Sequence, residues 1–160
     1  MNYENTIEEN EKEIVEEFSL FDTWDEKYEY LIELGKKFPE LEEQFKIDDN
    51  RVKGCQSSVW LVSDYQQGKV LFKADSDSVI TKGLISMLIR VLSGHSPEEI
   101  IQSRLDFLQQ IGMTTHLAQT RSNGLLSMVK QIKNFALAYK LKNAAAAHDY
   151  ERRSTEAKSN

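Results

Sequence analysis

The stretch "VWLVSDYQQGKVLF", Val59 to Phe72, decides the fold class. Val59 to Val62 is β-branched and aromatic, the composition of a half-buried strand. Gln66-Gln67-Gly68 is a turn signal, and Val70, Leu71 and Phe72 resume the apolar character. The pair reads as an antiparallel hairpin, to which a short third strand could be added from the segment just before Cys55. A lone hairpin is marginal in water, so helices must cover one of its faces.

The flanking sequence supplies those helices. "SDSVITKGLISMLIRVLSG", Ser76 to Gly94, is apolar nearly all round, with Ser78 as a cap and Gly94 as a stop. Such a helix is normally buried. Upstream, Thr6-x-x-Glu9 and Thr23-x-x-Glu26 are capping boxes. Ile14, Val15 and Phe18 make the apolar face behind the first. Trp24, Tyr28, Leu31 and Ile32 make the stripe behind the second, and Gly35 followed by Pro39 marks its end. Leu41 to Phe45 adds a short helical turn. Downstream, Ser96-Pro97-Glu98-Glu99 starts a short helix. Leu105–Leu108 and Thr114–Leu117 read as brief helical turns. A last long helix begins near Arg121 and carries Leu125, Met128, Val129, Ile132, Phe135 and Tyr139 on one face. The class is α+β: a small antiparallel sheet packed against flanking helices in a single domain, residues 1–142. The tail, residues 143–160, loses the apolar face. Its alanines could extend the helix, and the rest is expected to be frayed or disordered.

The 160 residues carry a net charge of −6, so the surface as a whole should repel nucleic acid and anionic membranes. No run approaches the ~20 apolar residues of a membrane span. The N-terminus is acidic and lacks the form of a signal peptide, so a cytoplasmic location is expected.

Cys55 is the sole cysteine. An internal disulfide, a Cys-x-x-Cys pair and a four-thiolate cluster site are therefore excluded. His95, His116 and His148 show no metal-ligand spacing, so no metal site is expected. A free cysteine is often a small core hydrophobe. The neighbours of Cys55 are not core company: Asn50, Arg51, Lys53, Gly54, Gln56 and Ser57. A polar loop meets the hairpin there, and Gly54 permits a positive φ and close approach of another molecule. A reactive cysteine needs its thiolate, and at an ordinary pKa near 8.5 only about 3% is ionised at pH 7. In an extended segment Arg51 and Lys53 would share a face with Cys55 and stabilise the anion. A hydrolase would need a histidine base, for which His116 in "THLAQTRSNG" is a candidate. Nothing around Cys55 suggests a peroxidase pocket.

The chain resembles the SufE family. The resemblance rests on "RVKGCQSSVWLV" (Arg51–Val62), "DSDSVITKGLISMLIRVLSG" (Asp75–Gly94) and "THLAQTRSNGLLSMVKQIK" (Thr115–Lys133). "FSLFDTWDEKYEYLIELGKKFPEL" (Phe18–Leu41) matches the family's opening helices, and the likeness runs from about Ile7 to about Ala138. It implies a sulfur acceptor for iron–sulfur cluster assembly. A pyridoxal-phosphate-dependent cysteine desulfurase, SufS-like, would pass persulfide sulfur to Cys55. The carrier, without a cofactor of its own, would deliver it to a SufBCD-like scaffold complex, activating the desulfurase rather than turning over alone. The resemblance implies that Arg121 docks the partner or shapes the cysteine loop. Gly54, Arg51, Lys53, Gln56 and Asp77 are the companions expected around Cys55. Asp75 and Asp77 match an Asp-Ser-Asp motif that helix capping explains equally well. Ser58 stands where the family often has glutamine. A CsdE-like branch with another desulfurase has the same chemistry. An iron–sulfur scaffold shares this fold, but a single cysteine argues against it. A homodimer is compatible with the resemblance.

Overall fold

The computed structural model describes residues 4–159. The hairpin is as the sequence indicates: β1 (Val59–Gln66) pairs antiparallel with β2 (Lys69–Ser76), from Val59 opposite Ser76 to Gln66 opposite Lys69. Gln67 (φ 54°) and Gly68 (φ 80°) both take positive φ. Two such residues give the turn whose twist matches the strands. Alternation then sends Val59, Leu61, Val70, Phe72 and Ala74 inward, where all are buried. The third strand does not form: the sheet has two strands. The segment before Cys55 contributes a single bridge, Arg51 opposite Trp60, with Val52 N–H donating to the Val59 carbonyl at 2.8 Å. The chain turns at Lys53-Gly54 and ends the pairing.

Helix α1 (Ile7–Phe18) starts on Thr6 and α2 (Trp24–Lys37) on Thr23, each hydroxyl accepting the backbone N–H three residues on. Two single-turn 3-10 segments, Glu43–Phe45 and Asp48–Asn50, lead to the hairpin. Helix α3 (Val79–Leu92) follows it, capped by Ser78. Leu84, Ile85, Met87, Leu88, Ile89, Val91 and Leu92 are all almost fully buried, so α3 is the axis of the core. Helices α4 (Pro97–Gln102) and α5 (Phe107–Gln110) are short. Ser96 and Glu99 form the reciprocal capping box at α4.

Gly35 does not stop α2, which continues to Lys37. A Cβ on Gly35 would lie 2.2 Å from the Val79 carbonyl oxygen, and one on Gly83 would lie 2.3 Å from that of Leu31. These two glycines let α2 and α3 touch backbone to backbone. On the other side of α3, Asn10 Nδ2 donates to the Val91 carbonyl at 3.3 Å, and Arg90 is paired with Glu17 of α1.

Helix α6 runs from Gln119 to Ser159. Its first half seats Leu125, Met128, Ile132 and Ala136 in the core, and Tyr139 is the last side chain to pack against it. Asn143 still reaches the hairpin, donating to the Tyr65 hydroxyl at 2.7 Å. Residues 143–159, for which fraying is expected, are helical, and the side chains from Asn143 to Lys158 are exposed except for a half-buried Ser154. Four consecutive alanines, Ala144–Ala147, favour helix without tertiary support.

Candidate functional site

The cysteine loop is built from three anchors. The first is Gly54, at φ +92°, whose Cβ would lie 2.4 Å from Ser127 Oγ of α6. Only glycine supplies both that φ and that closeness. The second is Cys55 itself, half-buried, whose Sγ–H donates to the Gly124 carbonyl of α6 at 3.5 Å. The third is Ser58. Its N–H donates to Asp77 Oδ1 at 3.0 Å, and its carbonyl accepts from Asp77 N–H at 3.2 Å and from Ser76 Oγ at 2.8 Å.

Cys55 lies between two hollows. One, about 230 Å³, is lined by Gln56, Ser57, Thr81, Arg121, Gly124 and Met128 among others. The other, about 390 Å³, is lined by Asp48, Arg51, Val52, Lys53 and Gly54. The loop residues expected around Cys55 therefore do gather there, on both sides of the thiol. Asp77 stands apart from both hollows and reaches the loop through Ser58.

The electrostatics differ from the sequence reading. Burial pushes the Cys55 thiol above the ordinary range, and no cation offsets it. Arg51 and Lys53 line a hollow beside Cys55 but are exposed to solvent, and the turn with positive φ at Gly54 breaks the extended segment that the sequence reading assumed. At rest Cys55 is a neutral thiol with its proton directed at a carbonyl.

Arg121 sits in the first turn of α6, where its charge opposes the helix dipole. It is held there by Tyr28 of α2: Nη1 donates to the phenolic oxygen at 2.6 Å, and the guanidinium carbon is 5.8 Å from the ring centroid. In the sequence Tyr28 is simply part of an apolar stripe. A hydroxyl on such a stripe, able to reach a partner at the edge of the core, is the signal for this second role.

The Asp-Ser-Asp motif caps no helix, since Ser78 caps α3. Asp75 is buried and accepts from Leu41 N–H at 2.9 Å and Ser76 N–H at 2.8 Å, with Lys82 Nζ at 3.2 Å and Lys46 Nζ at 3.4 Å. Burial alone would raise its pKa; the two N–H donors and Lys82 outweigh it and hold the carboxyl below the usual range. Asp75 thus ties the segment after α2 to the hairpin, and Asp77 ties the cysteine loop to it.

His116 is stacked on Trp24, ring centroids 4.6 Å apart, and no histidine lines either hollow. The hydrolase reading has no base beside the thiol. Among the described residues, no cluster of three or more His, Cys, Asp or Glu side chains could hold a metal ion. Nor, among them, is any helix long and apolar enough to cross a membrane.

The model of the SufE family, described as an Fe-S metabolism associated domain, matches residues 12–136. The chain belongs to the SufE family. An uncharacterized SufE-like protein of Rhizobium meliloti (strain 1021) is 38% identical over 129 residues, which cover 78% of this chain and 92% of that protein. One of Synechocystis is 36% identical over 136 residues, covering 85% of this chain and 86% of the other. The Arabidopsis thaliana SufE-like protein 1, named chloroplastic/mitochondrial, is 39% identical over 140 residues; these cover 85% of this chain and 38% of the longer plant protein. Among solved structures, that of a hypothetical protein from Thermus thermophilus superposes with a TM-score of 0.66, covering 81% of this chain and 94% of the other. At 21% identity it bears on the fold alone, which is α+β: one domain, helices around a small antiparallel sheet. SufE membership assigns the chain a sulfur-transfer role in iron–sulfur metabolism, in association with a cysteine desulfurase.

Proposed function

We propose that Cys55 is the sulfur acceptor. It takes the outer sulfur of a persulfide held by a SufS-like, pyridoxal-phosphate-dependent cysteine desulfurase and carries it to a SufBCD-like scaffold. The Cys55 thiolate attacks the outer sulfur, a new S–S bond forms at Cys55, and the desulfurase cysteine leaves as its thiolate. No electrons are gained or lost overall, and the thiol proton passes to solvent or to a partner base. The chemistry is thiol–disulfide exchange with a persulfide as electrophile.

The observation that carries this reading is the placement of the sole cysteine: half-buried, on a loop pinned at Gly54 and Ser58, beside a cleft that it shares with Arg121. A neutral, sheltered thiol is slow to react with small molecules. Docking must therefore release the loop and favour the thiolate, with Gly54 as the hinge and Arg121 as the anchor or lever. That arrangement confines sulfur transfer to the partner complex.

Cysteine-dependent sulfide release by the desulfurase, with and without this protein, tests the reading. Stimulation by the wild type and none by Cys55→Ser is the expected result. Equal stimulation by both would remove Cys55 from the reaction.

A further inference from the structure

Gly124 is buried inside α6, and its backbone lies outside the left-handed region. Conformational freedom is thus not the reason for a glycine there, and glycine is among the poorest helix formers. Space is the remaining reason, yet the resting thiol does not demand it. A Cβ on Gly124 would lie 3.5 Å from Cys55 Sγ, 3.8 Å from its Cα and 3.9 Å from its Cβ, all ordinary van der Waals distances. Alanine would fit against the thiol and strengthen the helix.

A persulfide changes this. Its outer sulfur sits about 2.05 Å beyond Sγ, in one of a few directions set by the S–S torsion. The cleft of about 230 Å³ that could take it is walled by Gly124 itself, with Thr81, Leu84 and Met128. Resting on the sulfur-acceptor reading above, we infer that Gly124 is a positioning residue that keeps room for the outer sulfur of a Cys55 persulfide. The helix gives up stability at that position so that the loaded form can stay sheltered. A methyl group there narrows the cleft for the loaded form while leaving the unloaded form unaffected.

Gly124→Ala tests this in two arms. In the first, wild type and variant are loaded by desulfurase and cysteine, separated from the enzyme, and exposed to glutathione while intact mass reports the remaining sulfur. The variant should lose sulfur roughly tenfold faster, the scale of overpacking by one methyl. Its unloaded thiol should alkylate at the wild-type rate. In the second arm, methyl methanethiosulfonate converts Cys55 to the methyl disulfide, with methanesulfinate leaving, and melting is followed. The unmodified variant should melt at or above wild type, and modification should lower its melting temperature more than that of wild type. Equal sulfur lifetimes, faster alkylation of the unloaded variant thiol, or equal shifts on modification would each overturn the role of Gly124. Failure of the wild type to take up any sulfur would instead overturn the acceptor reading. The methyl-disulfide arm still reports on Gly124 in that case.

Discussion

The Tyr28 hydroxyl of α2 accepts a hydrogen bond from Arg121 Nη1 of α6 at 2.6 Å, joining two helices that are distant in the chain at the rim of the cysteine cleft. Removing the hydroxyl leaves the ring in place but frees the guanidinium. A hydrogen bond to a charged group is worth about 1.5–3 kcal/mol. Tyr28→Phe should therefore raise the concentration needed for half-maximal stimulation of the desulfurase, by about tenfold if Arg121 must be held for docking. Arg121→Ala should do so at least as strongly, and Cys55→Ser should bind near normally without stimulating. Titration calorimetry beside the sulfide assay separates these outcomes. Wild-type affinity and stimulation for both Tyr28→Phe and Arg121→Ala would leave Arg121 as a surface residue.

Asp77 closes the cysteine loop on the hairpin by bonding both backbone groups of Ser58. Asp77→Ala should loosen the loop without disturbing the core, because Asp77 is exposed. The expected outcome is faster alkylation of Cys55 in the free protein and little change in melting temperature. An unchanged alkylation rate would mean that the bonds left intact, from Ser76 Oγ and the residue-77 N–H to the Ser58 carbonyl and from Cys55 to the Gly124 carbonyl, hold the loop without the carboxylate.

The pH dependence of stability should carry the signature of a sheltered thiol. The folded chain holds the Cys55 proton more tightly than the unfolded chain does, because burial raises its pKa. The contribution of the neutral thiol is fully present below the unfolded value of about 8.5 and is lost as pH rises through the folded value. Urea unfolding of wild type should weaken more between neutral and alkaline pH than that of Cys55→Ser. Parallel pH profiles would contradict the shelter.

Asp75 gives the opposite sign. Its carboxyl is held low when folded, so its contribution is present above the unfolded value near 3.9 and is lost as pH falls through the folded value. Asp75→Ala should also cost about 3 kcal/mol at neutral pH, since it leaves the half-buried Lys82 and the Leu41 and Ser76 N–H groups without their partner. A loss below ~1 kcal/mol in denaturant unfolding would show that Lys82 finds water instead.

The α2–α3 crossing should be the least tolerant place in the core. Gly35→Ala or Gly83→Ala drives a methyl into a backbone carbonyl, at 2.2 Å and 2.3 Å respectively, and neither carbonyl belongs to a side chain that can rotate away. Each should destabilise by about 3 kcal/mol or more, measured by urea unfolding. A neutral Gly35→Ala would show that the two helices can slide apart freely.

The hairpin and the buried α3 are legible in the sequence because both rest on local grammar: alternation, a Gln-Gly turn, and an apolar run with a serine cap. Cys55 stands out as the candidate acceptor by its polar company and by the family motif. The rest depends on where distant backbones meet. A glycine that ends a helix and one that lets two helices touch look alike in sequence, which is why Gly35 reads as a stop. Arg51 and Lys53 share a face with Cys55 only if the chain is extended, and the turn at Gly54 breaks that condition. Asp75 and Asp77 sit where capping residues belong, but their partners, Leu41 and Ser58, are brought in by the tertiary fold. Tyr28 counts as apolar in any periodicity, and only the tertiary fold, which brings Arg121 at the start of α6 to it, gives its hydroxyl a partner.

The acceptor role of Cys55 is tested most directly by intact mass. Wild type and Cys55→Ser are incubated with the desulfurase and cysteine, then weighed before and after a thiol reductant. Wild type should gain the mass of sulfur and lose it on reduction, and Cys55→Ser should gain none. A reductant-sensitive gain of the same mass in Cys55→Ser, or none in the wild type with an active desulfurase, would contradict the assignment.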